Sequence, residues 1–173
     1  MKVSIHCFIL DECAGGNPRV EAPQKLVNQG GLMALRAVFI DIGGTLGDRD
    51  PKTGRFTVYP SSAQLLRSFR DELGLRIGVI TTLGTVTNVQ ARELLEEAGL
   101  AQYVDKAGLV SEHDTGGIAK PDPRIYVHAA GRFHLAPEDC LFLGENLLEV
   151  VGALSAGMKA VLKPSPPGRE MGA

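Results

Sequence analysis

The sequence predicts an α/β fold in three layers, with a central parallel sheet of five strands. Short apolar runs alternate along the chain with segments of helical period, which is typical of βαβ units and a parallel sheet. The apolar runs are short and enter turns rich in glycine, as buried strands do. Ligands of such sheets bind at the carboxyl ends of the strands, so these ends are the places to search for a site.

The first core strand is predicted from Ala34 to Asp41, an apolar run that leads into a glycine turn. Residues 47–60 have polar residues around Pro51 and Gly54 and then alternate, which predicts a small β-hairpin flap. A helix is predicted from Ser61 to Leu73, capped by the serines at its start. Its apolar face is predicted to contain Leu65, Leu66, Phe69 and Leu73.

The rest of the core continues the same alternation of strand and helix. The further predicted strands are Leu75 to Thr81, a short one near 108–110, Cys140 to Leu143, and Lys159 to Leu162. The further predicted helices are Thr85 to Ala98 with Gly99 as C-cap, Pro121 to Phe133, and Leu147 to Ala156.

Residues 1–32 differ from the rest of the chain. Residues 3–10 are β-prone, and the remainder of the segment is rich in glycine, proline, asparagine and glutamine. Because the stretch from Met33 resembles a natural start, the segment is interpreted either as a lineage-specific N-terminal extension of uncertain role or as the result of a start site assigned too far upstream. It either adds an edge strand or contributes to a homodimer contact. The main domain is predicted over 33–165, with a flexible tail at 166–173.

Composition excludes several classes of protein. The chain has 173 residues, 44% of them hydrophobic and 22% charged, as in an ordinary globular domain. A formal net charge of −2 gives no basic field to attract nucleic acid. No apolar run reaches the roughly 18 residues of a membrane helix. Cys7, Cys13 and Cys140 contain no CxxC pair and are interpreted as idle thiols, so we expect a cytoplasmic protein with no membrane partner.

Two strand ends have the chemistry of an anion site. The first strand ends in Asp41, and Gly43 and Gly44 follow it, which places a carboxylate beside backbone N–H groups. The second strand ends in Thr81 and Thr82, and a hydroxyl there can donate to a phosphate oxygen. Taken singly, Asp41 is equally well explained as a turn cap and Thr81 better explained as a helix N-cap.

Two further segments complete the pattern. Lys120 precedes a predicted helix in the segment KPDPRIY, where a cation would balance a carboxylate and a phosphate. Glu145 and Glu149 follow the fourth strand, four residues apart, and can gather around a hard divalent cation such as Mg²⁺. Each of these charges alone is better explained as a solvated surface charge. The four segments become informative when their order along the chain is considered. An aspartate and a threonine each follow a strand, Lys-Pro then precedes a helix, and a glycine followed by an acid ends the next strand.

In this combination the chain resembles the haloacid dehalogenase superfamily over roughly residues 34–163. The segments AVFIDIGGTL, KPDPRIY and GALSAGMKAV carry the resemblance. It implies a Rossmann-like fold and a Mg²⁺-dependent phosphohydrolase that forms an aspartyl-phosphate from a phosphate ester or acyl phosphate. The implied catalytic residues are Asp41, Thr81 and Lys120. The implied phosphate contacts are the backbone amides of Ile42, Gly43 and Thr82 together with Thr81 and Lys120. The implied Mg²⁺ ligands are Asp41, the Gly43 carbonyl and Glu145, with Glu149 in support.

The chain departs from the family pattern at two positions. Gly43 stands where hydrolytic members usually have a second aspartate, the general acid and base, whose loss typically costs about 10²–10⁴ in rate. Glu145 stands where aspartate is usual. The alternative function is therefore a catalytically impaired phosphate-binding or scaffold module. A dehalogenase is disfavoured because it requires an apolar, capped pocket.

No cap domain is expected in this chain. Residues 42–80 and 82–119 are largely filled by the flap, two helices and two strands, which leaves no length for an inserted domain. An uncapped site is open, so the phosphorylated substrate can be large. Flap residues Arg49, Lys52 and Arg55 are candidate contacts for an anionic substrate, although ordinary surface charge is the simpler interpretation.

Overall fold

A computed structural model describes residues 35–50 and 52–164 of the chain. The predicted extension at 1–32, its strand at 3–10, Cys7 and Cys13, and the tail at 166–173 lie outside these residues. The described strands are β1 (Ala37–Ile40), β2 (Gly47–Arg49), β3 (Phe56–Val58), β4 (Arg76–Ile80), β5 (Leu109–Val110), β6 (Cys140–Gly144) and β7 (Lys159–Leu162). The described α-helices are α1 (Ser62–Arg67), α2 (Asn88–Glu97), α3 (Pro123–Arg132) and α4 (Leu147–Ser155).

Five strands form a parallel sheet in the order β5, β4, β1, β6, β7, which confirms the predicted fold class. Side chains of α1 and α2 pack in one core cluster with Val38 and Ile40 of β1. Side chains of α3 and α4 pack in a second cluster with Ala37 and Phe39. Since successive residues of a strand point to opposite faces, β1 carries one half of each core and the helices lie on both sides of the sheet.

The hairpin flap is also confirmed. Strands β2 and β3 pair antiparallel, with Gly47 opposite Val58 and Arg49 opposite Phe56. A Cβ on Gly47 would lie 2.4 Å from the Thr57 carbonyl oxygen, so this position accepts glycine alone without a shift of the hairpin backbone. The flap begins directly after the turn that follows β1, which places it beside the carboxyl end of the sheet.

The helix predicted from Ser61 to Leu73 is only partly correct. The α-helix ends at Arg67 and continues as a π-helical turn over Ser68–Glu72. A π turn is wider than an α turn, which changes the helical phase, and Leu73 is 64% exposed instead of facing the core. Ser61 makes no capping hydrogen bond through its side chain. The hydroxyl of Ser62 donates to the Leu46 carbonyl at 2.7 Å and ties the helix to the loop after β1.

The other predicted elements have small errors at their ends. Helix α2 begins at Asn88 rather than Thr85, because Thr87 and Gln90 form a reciprocal capping box. Gly99 ends the helix with φ +69°, as its predicted C-cap role requires. The Cys140 thiol is buried, and burial raises its pKa to about 11, so it stays protonated and inert. No helix in the described ranges is both long enough and apolar enough to cross a membrane.

A glycine on α4 permits close packing against the loop that carries Lys120. A Cβ on Gly152 would lie 2.1 Å from the Pro121 carbonyl oxygen and 2.9 Å from its carbonyl carbon. Both atoms are backbone, so they cannot rotate away as a flexible side chain would. Gly152 is itself buried between the two segments. This contact fixes how near α4, and therefore Glu149 on its first turn, comes to Lys120.

We predict that Gly152→Ala lowers the free energy of unfolding by about 1–3 kcal/mol, because the added methyl group overpacks the contact with Pro121. Gly131→Ala on α3 is the matched control, since its Cβ would meet no atom within 4 Å. Alanine in an open helical position should instead stabilise by about 0.5–1 kcal/mol. Urea unfolding followed by circular dichroism measures both values. Equal effects of the two substitutions would contradict the close contact.

Candidate active site

The predicted site residues lie at one edge of the sheet. Strands β1 and β4 end one residue before Asp41 and Thr81, and β6 ends at Gly144, directly before Glu145. The Asp41 amide donates to the Leu143 carbonyl at 3.0 Å, and the Thr81 amide donates to the Val110 carbonyl at 3.0 Å. These bonds extend the ladder by one residue on each strand. Asp41 and Thr81 are both buried, and the structure therefore brings the predicted acid and hydroxyl to neighbouring strand ends.

Lys120 is held between two carboxylates. Its Nζ forms an ion pair with Asp41 Oδ1 and lies 2.8 Å from Glu149 Oε2. The Lys120 side chain is 2% exposed and that of Asp41 is 9% exposed, so the pair is almost completely removed from water. Charges this deeply buried persist only when they are paired. The sequence placed Lys120 near Asp41 correctly, but it assigned Glu149 to metal support and did not predict its contact with Lys120.

The ionisation of Asp41 is finely balanced. The pKa of its carboxyl is raised from 3.8 to about 7. Burial is the largest cause, Lys120 opposes it by lowering the pKa, and the nearby Glu149 and Glu145 contribute to the rise. A further positive charge at this edge of the sheet would favour the ionised form of Asp41.

Glu145 is positioned by a residue that the sequence analysis did not assign. The Thr45 hydroxyl donates to Glu145 Oε2 at 3.1 Å, and Thr45 is buried. Thr45 belongs to the turn after Asp41, so this bond joins the turns after β1 and β6. The signal that could have found it is its spacing, four residues beyond the acid at the first strand end.

The donor atoms at this edge suit a hard divalent cation. The acidic side chains here offer carboxylate oxygens, and Glu149 and Glu145 add to the effect of burial in raising the pKa of Asp41. Within residues 35–50 and 52–164, no group of three or more histidine, cysteine, aspartate and glutamate side chains has the arrangement of a metal cage. Mg²⁺ commonly binds through one or two carboxylates and several waters, so the residues present fit it. The ligand roles of Asp41, Gly43, Glu145 and Glu149 stay predictions.

A cavity of about 180 Å³ lies at the ends of β1 and β4, next to the turn that follows Asp41. Four of the five predicted phosphate contacts line it, namely Ile42, Gly43, Thr81 and Thr82. We call it the phosphate cavity. The fifth predicted contact, Lys120, faces the Asp41 carboxylate. A phosphoryl group in this cavity would lie beside backbone N–H groups of the turn after β1 and the hydroxyl at the end of β4.

A family model described as haloacid dehalogenase-like hydrolase matches residues 52–157, which is more than half of the chain. The chain belongs to this family. It is 38% identical over 104 residues to a phosphatase of Mycobacterium tuberculosis, covering 60% of this chain and 45% of the relative. It is 36% identical over 119 residues to a phosphoserine phosphatase of Thermus thermophilus, covering 65% of this chain and 45% of that relative. The chain thus spans about half the length of the curated relatives it matches.

Solved structures of the haloacid dehalogenase-like family share the fold. An HAD phosphatase from Thermococcus onnurineus superposes with a TM-score of 0.65 at 21% identity, covering 79% of this chain and 89% of that one. A HAD family hydrolase from Deinococcus radiodurans, solved with bound phosphate and sodium, gives a TM-score of 0.62 at 18% identity. It covers 80% of this chain and 84% of that chain. At these identities the likeness supports the architecture alone.

Two more side chains near the site were missed in the sequence. The Glu112 carboxylate accepts hydrogen bonds from the Leu83 amide at 2.9 Å and the Gly84 amide at 2.6 Å. Although burial opposes its ionisation, these N–H groups lower the pKa of Glu112 below 4.5. Lys163 Nζ donates to the Gly44 carbonyl at 3.1 Å. Both residues follow a strand, β5 or β7, so the strand-end rule applied to the edge strands would have found them.

The three flap cations differ in their surroundings. Arg49 lines the phosphate cavity together with Phe56, and its Nε donates to the Gly54 carbonyl at 2.9 Å. Arg55 lines a second cavity on the other side of Phe56. Lys52 is exposed and lines neither cavity. The predicted contact with an anionic substrate is therefore best placed at Arg49.

We predict that the contribution of Asp41 to the stability of the metal-free protein falls as the pH rises from about 4 to about 7. The unfolded Asp41 carboxyl loses its proton near pH 3.8 and the folded one near pH 7, so the folded state binds more protons in this window. Urea unfolding in EDTA at several pH values measures the slope. Asp41→Asn should reduce this slope, whereas Glu96→Gln, an exposed control on α2, should leave it unchanged. An unchanged slope in Asp41→Asn would remove the buried acid as its cause.

Proposed function

We propose that the chain is a magnesium-dependent phosphohydrolase that uses Asp41 as its nucleophile. One observation carries the proposal: a buried carboxylate, paired with a buried lysine, lies at a strand end beside the phosphate cavity. An anionic nucleophile can approach an anionic phosphate only where positive charge offsets their repulsion. The family membership and the phosphatases among its relatives support the same reaction.

In the proposed reaction, an Asp41 carboxylate oxygen forms a bond to phosphorus while the ester oxygen leaves with the electron pair of its P–O bond. Water then hydrolyses the resulting acyl phosphate, which releases phosphate and regenerates the carboxylate. Lys120 neutralises the carboxylate before attack and the phosphoryl oxygens during it. The Thr81 hydroxyl and the backbone amides of the turn after β1 donate to those oxygens.

Asp41, the Gly43 carbonyl and Glu145 would hold Mg²⁺, with Glu149 in support. When bound, the ion supplies the positive charge that the carboxylate excess at this edge requires. The Thr45 hydroxyl keeps the longer Glu145 side chain oriented, which offsets part of the freedom gained with its additional methylene group.

Gly43 determines which substrates react fastest. It provides no side chain to protonate a departing alkoxide, so a leaving group that needs no proton is favoured. Acyl phosphates and aryl phosphates have such leaving groups. Of the described residues between Asp41 and Thr81, those in regular structure form only the β2–β3 hairpin, α1, its π-helical turn and the core strand β4, so a large phosphorylated molecule can also approach.

We predict Mg²⁺-dependent hydrolysis of p-nitrophenyl phosphate by the purified full chain, and its loss in Asp41→Asn. The amide cannot form the acyl phosphate, although its similar shape should preserve the fold. Release of p-nitrophenol is followed by absorbance with and without EDTA. Asp71→Asn, on the exposed π-helical turn, is the control and should retain the wild-type rate. Activity that survives in Asp41→Asn would exclude this residue as the nucleophile.

We predict that Gly43→Asp raises the rate with alkyl phosphates by at least about tenfold, because it supplies the missing general acid and base. The position can accept a side chain, since a Cβ there would meet no atom within 4 Å. The rate with p-nitrophenyl phosphate should change less. Gly43→Ala is the matched control and should show no gain. An alkyl phosphate rate that is equal in both variants would mean that another step limits the reaction.

The second candidate function is phosphate binding without turnover. Gly43 and Glu145 favour it, because each weakens a part that hydrolysis requires and that phosphate binding does not. Absence of p-nitrophenyl phosphate hydrolysis at high Mg²⁺, together with phosphate binding detected by calorimetry, would support this second function over the first.

A further inference from the structure

A second cavity of about 390 Å³ lies between the hairpin flap and helix α2. Its walls include Arg49, Arg55 and Phe56 from the hairpin and Glu93, Leu94 and Glu97 from the helix. We call it the flap groove. Arg49, Phe56 and Leu94 also line the phosphate cavity, so the two spaces share one wall. A substrate with its phosphoryl group beside Asp41 would extend past these three side chains into the groove.

The flap groove has opposite charges on its two sides. Arg49 and Arg55 lie on the hairpin, and Glu93 and Glu97 lie on one face of α2 at a spacing of one helical turn. None of these four side chains forms an ion pair with another in the part of the chain that the structure describes. The groove therefore separates two like-charged pairs, each of which can bind a ligand group of opposite sign.

The wall shared with the phosphate cavity is mostly apolar. Phe56 and Leu94 are both half-buried and line both cavities, together with Arg49. The Arg49 Nε donates to the Gly54 carbonyl at 2.9 Å, which holds its guanidinium on the hairpin side. A cavity of this size lies within the range of about 300–1,000 Å³ that small ligands occupy.

We propose that the flap groove binds the organic part of the substrate and that this part carries both a carboxylate and an ammonium group, as an amino acid does. The carboxylate faces the arginines and the ammonium faces the glutamates. A substituent with negative charge alone is repelled by Glu93 and Glu97, and one with positive charge alone is repelled by the arginines. This assignment rests on the proposed function, since it assumes that the phosphoryl group lies beside Asp41.

Three phosphate monoesters separate the two charges. O-phosphoserine carries both, O-phosphoethanolamine carries only the ammonium, and 2-phosphoglycolate carries only the carboxylate. Their binding to full-chain Asp41→Asn protein in Mg²⁺ is measured by isothermal titration calorimetry, so that turnover does not interfere. We expect O-phosphoserine to bind at least about fivefold more tightly than either of the others, the effect of one favourable ion pair at a partly exposed site.

Substitutions on each side of the groove, made in the Asp41→Asn protein, test the assignment of the charges. Glu93→Gln combined with Glu97→Gln should weaken both ammonium-bearing ligands about fivefold and should not weaken 2-phosphoglycolate. Arg55→Gln should weaken the two carboxylate-bearing ligands and should not weaken O-phosphoethanolamine. Glu96→Gln on the same helix and Lys52→Gln on the same hairpin are matched controls, because neither lines the groove, and should keep the wild-type order. A misfolded variant would weaken all three ligands together.

The outcomes separate this inference from the proposed function. Hydrolysis of p-nitrophenyl phosphate by the wild-type chain, with equal binding of the three esters, would overturn the groove assignment and leave the phosphohydrolase intact. The wild-type chain could instead hydrolyse no phosphate ester while the glutamate and arginine substitutions change ligand binding as predicted. This result would support the assignment of the flap groove and contradict the proposed hydrolysis. Equal affinities that no substitution changes would overturn the groove whatever the hydrolysis result.

Discussion

The buried ion pair between Asp41 and Lys120 is the interaction on which the rest of the site depends. Asp41 follows the central strand and Lys120 precedes α3, so the pair joins two elements that are far apart in sequence. Glu149 on α4 contacts the same ammonium group. Removing two charges this completely from water is costly, and their mutual attraction compensates only when the surrounding packing holds them together. The close approach of Gly152 to Pro121 is part of that packing.

The same arrangement supports the proposed binding of Mg²⁺. Lys120 contacts two carboxylates, and Glu145 is the third acidic group near Asp41. The pKa of Asp41 rises chiefly because the carboxyl is buried, and the two glutamates add to the rise. A protein built only for stability would gain by replacing such a cluster with apolar side chains. This cluster lies at an open strand end, beside a cavity lined by backbone amides and a hydroxyl. Its presence there is better explained by the proposed binding of a phosphoryl group together with Mg²⁺.

Much of this was predictable from the sequence, because it depends on periodicity and on strand ends. The apolar runs gave the five strands, and parallel pairing then requires Asp41, Thr81 and Glu145 to share one edge. The π-helical turn after α1 was not predictable, since its residues keep an α-like apolar spacing. The contact between Glu149 and Lys120 was also missed, because it depends on the depth to which α4 packs. Contacts set by packing distance have no signature in residue spacing.

The hydrogen bonds of Glu112 couple the local unfolding of two segments near the site. Its carboxylate holds the amides of Leu83 and Gly84, and it follows β5, a strand of two residues at the edge of the sheet. Short edge strands are among the first parts of a domain to open in native-state fluctuations. When β5 opens, the loop after β4 loses its anchor while the central strands remain paired. Leu83 and Val86 of this loop line the phosphate cavity, so a local opening of β5 would change the shape of the cavity without unfolding the core.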